Sequence, residues 1–196
     1  KSVQPVFVER FPPDFDDIQS VARRKEMFTR IVLPLILREN NRILDLRSKV
    51  QDLVDEPVLT EREEAFLASL YKRYKIDDID IERSGPAALL SHIDVIPPGL
   101  ALAQAAHESG WGRSRFSRKG NALYGQWTWS EDDPGFVPSQ RGEGKTHKVK
   151  AFETLNLSVR SYMLNLNRHQ SYSPLRKMRT ALRATASPLD SYVLAE

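Results

Sequence analysis

The chain has 196 residues, with 29 Lys and Arg against 26 Asp and Glu, a net charge of +3 and no cysteine. That length buries enough surface to fold without covalent staples, and the missing thiols exclude a disulfide framework, a thiolate zinc site and a cysteine nucleophile. Basic residues fall in short clusters (Arg23 to Lys25, Arg113 to Lys119, Lys145 to Lys150), too mild a footprint for a dedicated nucleic-acid partner.

Residues 1–13 read as an extended lead containing proline. From about Asp16 to Leu53 apolar residues recur at helical spacing, through Phe28, Ile31, Val32, Leu35 and Ile36, then Ile43, Leu46, Val50 and Leu53. Pro34 inside this stripe predicts a kink or boundary near Leu33. Thr60 and Glu63 have the spacing of a capping box, opening a helix with Phe66, Leu67, Leu70, Tyr71 and Tyr74 on one face. "SGPAALLSHID" predicts a short helix with Pro86 in its first turn, and "PPGLALAQAAHES" the next, with Pro98. His92, Asp94, Pro97 and Pro98 interrupt the apolar run across these two, so it predicts two buried helices and no membrane span.

After Gly110 the chain becomes rich in loop residues and ends in alternation, with Thr146, Lys148 and Lys150 on one side and His147, Val149 and Ala151 on the other. Helical periodicity returns through Val159, Tyr162, Met163 and Leu166, and again through Leu175, Met178 and Leu182. The expected fold class is mainly α (α+β), with a small β-hairpin lobe. Residues 1–80 are expected to form an N-terminal helical extension, possible dock for a protein partner, packing on a domain over 81–196.

Within this pattern Glu108 stands out. The helix that ends on it is apolar nearly all round, which predicts burial, and Glu108 lies in its last turn, near the negative end of the helix dipole. Both features penalise a charged carboxylate, and a carboxyl group that keeps its proton is what a general acid for glycosidic cleavage requires. The alternative is a structural role, capping a neighbouring helix or pairing with Arg113 or Arg115. Gly110 and Gly112 permit an open turn beside Glu108, and Trp111 offers a flat face for sugar stacking or for wall packing.

"LALAQAAHESGWGRSRF" followed by "GNALYGQWTW" resembles the glucosaminidases of glycoside hydrolase family 73, in the lysozyme superfamily, where a Glu in an "ES.WG" context precedes an "N.(F/Y)G" turn. The resemblance is closest to the Bax-like branch of bacterial cell-wall hydrolases, and "RKEMFTRIVLPLILRENNRIL" and "SVRSYMLNLNRH" are similar to that branch's flanking helices. It implies a lysozyme-like fold and a peptidoglycan hydrolase that cuts the β-1,4 bond after N-acetylglucosamine in glycan strands. It also implies a periplasmic or cell-envelope location, with targeting supplied from outside this sequence. Glu108 matches the general acid; Ser109, Trp111 and Gly112 match the supporting turn; Asn121, Tyr124 and Gly125 match the second half of the cleft. His107 departs from the pattern and reads as a packing or supporting residue. The end, "PLDSYVLAE", lacks the tyrosine-bearing segment expected of the branch, so a shortened or divergent end is expected.

A second carboxylate is sought after the glycine turn, where Glu143, between Gly142 and Gly144, ranks first and Glu131 second, with Asp132 and Asp133 nearby; each also reads as a hydrated charge. Alternation puts Trp127 and Trp129 on one face, both as candidate substrate-binding residues, with the alternative that one is core and the other a stacking platform. Gln104 and Gln126 are candidate hydrogen-bonders to the sugar. Neither a cofactor nor a metal is expected, because His92, His107, His147 and His169 show no ligand spacing. Two rival functions remain, a lytic transglycosylase of the same fold and a non-catalytic glycan-binding or scaffold protein.

Overall fold

The structure, a computed structural model, describes residues 7–138 and 146–195. In chain order the helices are α1 (Val21–Val54), α2 (Glu61–Tyr74), α3 (Asp78–Ser84), α4 (Pro98–Ser109), α5 (Arg115–Gly120), α6 (Leu155–Arg168) and α7 (Ser173–Ala184). The strands are β1 (Trp127–Thr128), β2 (Gly135–Phe136) and β3 (Lys148–Lys150). Short 3-10 turns cover Pro13–Asp17, Gly85–Ser91, Gln170–Tyr172 and Val193–Ala195. The chain is mainly helical with a small antiparallel sheet, the expected fold class. It packs as two units, residues 1–39 with 98–162 and residues 40–97 with 163–196.

α1 contradicts one expectation. It starts at Val21 and runs unbroken through Pro34 to Val54. A proline inside a helix costs about 3 kcal/mol, but Phe28, Ile31, Val32, Leu35 and Ile36 are all buried. Each such side chain contributes roughly 1.5–3 kcal/mol, so the packing of one face outweighs the lost backbone bond. The turn before it buries Phe15, whose ring lies 4.6 Å from that of Phe11.

In the first unit, Glu39 is buried at the end of that stretch. It accepts hydrogen bonds from Arg160 Nε and Nη2, each at 3.0 Å, and from Asn156 Nδ2 at 2.8 Å. These bonds tie α1 to α6, where Val159, Tyr162, Met163 and Leu166 are buried as the periodicity predicts. The lobe after α5 is a three-stranded antiparallel sheet in the order β1-β3-β2, with Trp127 and Phe136 both opposite Val149. Along β3 the predicted alternation holds: His147 and Val149 are buried, and Lys148 and Lys150 are partly exposed.

In the second unit the capping box forms as its spacing predicts. Thr60 N–H donates to Glu63 Oε2 at 2.8 Å, and Glu63 N–H donates to Thr60 Oγ1 at 3.4 Å. Asp77 caps α3, a helix the sequence pattern did not announce, by accepting from Asp80 N–H at 2.8 Å. α7 departs from expectation in another way. Its apolar stripe of Leu175, Met178 and Leu182 is only half-buried, whereas Arg176 and Arg179 are buried. Arg176 donates to the carbonyls of Leu166 and His169. For Arg179 the cause lies in the turn before α4, which leaves carbonyls that a rigid five-donor guanidinium can satisfy. Arg179 donates to the backbone oxygens of Ser91, Asp94 and Val95 and to Asn167 Oδ1.

Candidate active site

α4 opens with Pro98 in its first turn and buries Leu100, Ala101, Ala105, Ala106 and Ser109. Its other face is exposed and carries Ala103, Gln104, His107 and Glu108. The expectation of a helix buried all round is therefore corrected. Alanine is a strong helix former tolerated on either face, so an alanine-rich segment does not specify how many faces are covered. The Glu108 side chain is 51% exposed, and it does not occupy the solvent-poor setting expected for it. Nor, among the described residues, does an arginine clamp it. His107 is not packing either: its side chain is 88% exposed, with Nδ1 3.5 Å from Glu108 Oε1.

The turn after Glu108 is held from inside. Ser109 Oγ donates to Ala105 O at 2.6 Å and accepts from Gly112 N–H at 2.9 Å. Gly110, Trp111 and Gly112 all take positive φ. A Cβ at Gly112 would lie 2.9 Å from the Phe15 ring, so only glycine fits there. Trp111 meets the edge of Phe28 with ring centroids 5.6 Å apart, and Lys25 Nζ sits 4.9 Å from its ring. These are the surroundings of a wall residue.

The second half of the site comes from the segment after α5. Asn121, 2% exposed and left-handed at φ 52°, donates through Nδ2 to the carbonyls of Phe152 and Glu153, both at 2.9 Å. Its amide donors are spent on the backbone, so it places the turn from behind. Leu123 N–H donates to Ser158 Oγ at 3.1 Å and fixes the same segment to α6. Two residues on, Gly125 has φ 57°, and a Cβ there would lie 3.3 Å from Glu108 Oε2. Glycine thus keeps the space beside the carboxylate open. Replacing Gly125 by alanine is expected to cost about 1–2 kcal/mol through its left-handed backbone, read as a fall in Tm.

Tyr124, buried, stacks on Tyr162 with centroids 3.8 Å apart and planes within 4°. Among the described residues its hydroxyl has no hydrogen-bond partner, and burial, with the neighbouring Tyr162, pushes its pKa well above the ordinary phenol value. It remains a neutral O–H. Tyr162 donates from its hydroxyl to Gln104 Oε1, one helical turn before Glu108. The structure therefore gathers Glu108, Gln104, Tyr124, Gly125 and Tyr162. Tyr162 is the member that sequence reasoning did not assign to the site. Its signal was a hydroxyl on the buried stripe of α6, which needs a partner.

The sheet lobe supplies other groups. Gln126 is half-buried, and among the described residues its Oε1 has no hydrogen-bond partner. Trp127 and Trp129 are 57% and 65% exposed, and their rings meet edge to face at 6.2 Å. The alternative that one is core fails, because β1 is a two-residue edge strand whose inward side chain is Thr128. Instead Trp127 stacks on His147 at 4.4 Å. Glu131 is exposed on the following turn, its carbonyl accepting from Lys148 Nζ at 3.1 Å. The Asp133 carboxylate accepts from Thr128 Oγ1 and Lys150 Nζ, which hold its pKa below the usual range and commit it to shaping that turn. Glu143 lies outside the described residues. Among the described residues no group of His, Cys, Asp or Glu has the arrangement to hold a metal ion. Nor, among them, is any helix long and apolar enough to cross a membrane.

Residues 87–195 match the family described as glucosaminidase, mannosyl-glycoprotein endo-beta-N-acetylglucosaminidase. The chain is also 33% identical over 172 residues to "Protein bax" of Escherichia coli (strain K12), an alignment covering 87% of this chain and 61% of that protein. It thus spans about three-fifths of that relative's length. No solved structure gives a significant match. The matched span contains every residue gathered around Glu108, and it is more than half of the chain. The chain belongs to the glucosaminidase family of glycosidases.

Proposed function

We propose that this chain is a peptidoglycan hydrolase of the N-acetylglucosaminidase type, placed in glycoside hydrolase family 73 with a lysozyme-like catalytic domain. It cleaves the β-1,4 bond after N-acetylglucosamine, with Glu108 as general acid. One observation carries the reading: an accessible carboxylate at the end of α4 faces the side-chain-free Gly125, inside the family-matched span. Protein bax, from a bacterium, aligns with most of the chain and supports a bacterial glycan as substrate.

The chemistry follows from the neighbours. A protonated Glu108 hands its proton to the departing glycosidic oxygen. A sugar ring seated beside Gly125 displaces water from the exposed side of that carboxyl, and so supplies on binding the desolvation that α4 alone does not. Tyr162 fixes Gln104 through its Oε1, leaving the amide N–H groups of Gln104 to donate to a sugar hydroxyl or acetamido oxygen. As that oxygen leaves, the anomeric carbon is attacked from the opposite face by a water activated by Glu131 or Glu143, by one of these carboxylates itself, or by the substrate's own acetamido oxygen. In the last two cases water then hydrolyses the intermediate.

Trp127 and Trp129 provide an exposed aromatic surface for the glycan. Replacing Trp129 by alanine is expected to raise KM about fivefold to tenfold with little change in kcat. Because that ring is largely exposed, Tm should hold. An unchanged KM would remove Trp129 from the binding surface.

The substrate places the enzyme in the periplasm or cell envelope. The family match begins at residue 87 and supports residues 1–80 as an extension, with Val21, Leu37 and Leu44 exposed on α1 for a protein partner. The deciding experiment is product analysis of digested murein. Reducing-end N-acetylglucosamine supports the reading. Ends in 1,6-anhydro-muramic acid would instead make the chain a lytic transglycosylase, and no release at all would leave a glycan-binding protein.

A further inference from the structure

The second unit carries a cleft of about 940 Å³ that includes none of the residues around Glu108. Such a volume lies at the upper end of the range for small-ligand sites. Its lining includes Lys75, Arg168, Arg176 and Lys177, against Asp77 and Asp80 from the start of α3. Cationic charge is therefore in excess.

That excess is not consumed among the described residues. Among the described residues Lys75, Arg168 and Lys177 have no carboxylate partner. Arg176, 7% exposed, donates among the described residues to the backbone oxygens of Leu166 at 3.2 Å and His169 at 2.8 Å, and burial pulls its pKa down. Its charge is satisfied by dipoles and not neutralised. His169 accepts from Ser171 N–H at Nδ1, so its neutral ring carries the proton on Nε2 as a donor. His92, also in the lining, is neutral at pH 7, since burial and Arg176 pull its pKa down to about 4.

A ligand that fits this lining carries more carboxylates than amines, at a spacing that lets both signs be met. Short peptides with free acidic groups have that chemistry; neutral sugars do not. Lys75, Asp77 and Asp80 precede residue 87, where the family match begins, so part of the wall is supplied from outside the matched glucosaminidase span. We propose that this cleft binds the stem peptide of peptidoglycan, its free carboxylates meeting Lys75, Arg168 and Lys177. The identity of the peptide rests on the substrate argued above.

Calorimetric titration of the full chain tests it with three probes: a synthetic stem tetrapeptide with free carboxylates, the same peptide amidated, and inorganic phosphate. The free-acid peptide is expected to bind, and amidation to weaken it about tenfold. Arg168→Gln combined with Lys177→Gln should cause a comparable loss at unchanged Tm, and Lys75→Gln, from another part of the wall, an independent one. Glu108→Gln should bind the peptide as the parent chain does. Binding that survives amidation or survives these variants overturns the proposal, as does equal affinity for phosphate. Because binding is read without turnover, a chain that digests murein but ignores the peptide sinks this inference alone. A chain that binds the peptide and digests nothing sinks only the hydrolase reading.

Discussion

Glu108→Gln is expected to lower hydrolysis of murein by about two to four orders of magnitude, the contribution of a positioned general acid. Glutamine keeps the length and shape of the side chain, so the contact with Gly125 and the course of α4 are preserved. What it loses is the transferable proton. The side chain is half exposed and holds no buried network, so far-ultraviolet circular dichroism and Tm should match the parent chain. The loss should appear in kcat with little change in KM, because binding of the glycan uses Gln104 and the aromatic surface of the sheet lobe. Equal clearing by both proteins in a murein zymogram would end the assignment, whatever the family says.

The parts of this fold that were legible in the sequence are those set by neighbours along the chain. Thr60 and Glu63 satisfy one another within one turn, so their spacing alone announced the start of α2. The alternation around Val149 announced β3, and the spacing of Val159, Tyr162, Met163 and Leu166 matches the α6 that forms. Features decided by distant contacts were not legible. Pro34 failed to break α1 because residues far along the chain cover the stripe on either side of it. Arg179 of α7 is buried because a turn some 85 residues earlier presents carbonyls, as its bond to Asp94 O shows. At the candidate site the glutamate and the glycine turn were visible as motifs. The exposure of Glu108 was hidden by alanines that suit either face, and the link from Tyr162 to Gln104 spans 58 residues.

The largest expected effect on stability lies at Asp94. This residue is 2% exposed, and its carboxylate receives Arg183 at 2.8 Å, with Arg179 and Arg47 at 3.7 and 3.8 Å. Arg179 is itself 1% exposed, and burial pulls its pKa down to about 10. Asp94→Asn keeps the backbone carbonyl that accepts from Asn167 and Arg179, but it strands buried positive charge. Breaking a buried pair from one side costs about 3–5 kcal/mol, which in a chain of this size corresponds to a fall in Tm of roughly 10 °C. The pH dependence separates this cause from a simple packing defect. Burial works against the charged form of Asp94, but the hydrogen bond from Arg183 and the charges of Arg179 and Arg47 outweigh it, so the folded pKa lies below the ordinary 3.8. A carboxylate depressed on folding contributes stability that is complete above its unfolded pKa and is lost as pH falls through the folded value. Urea titrations should therefore show the full gap between the two proteins near neutral pH and a narrowing gap below about pH 4. A gap that stays constant into acid would mean that shape, and not charge, is what Asp94 contributes.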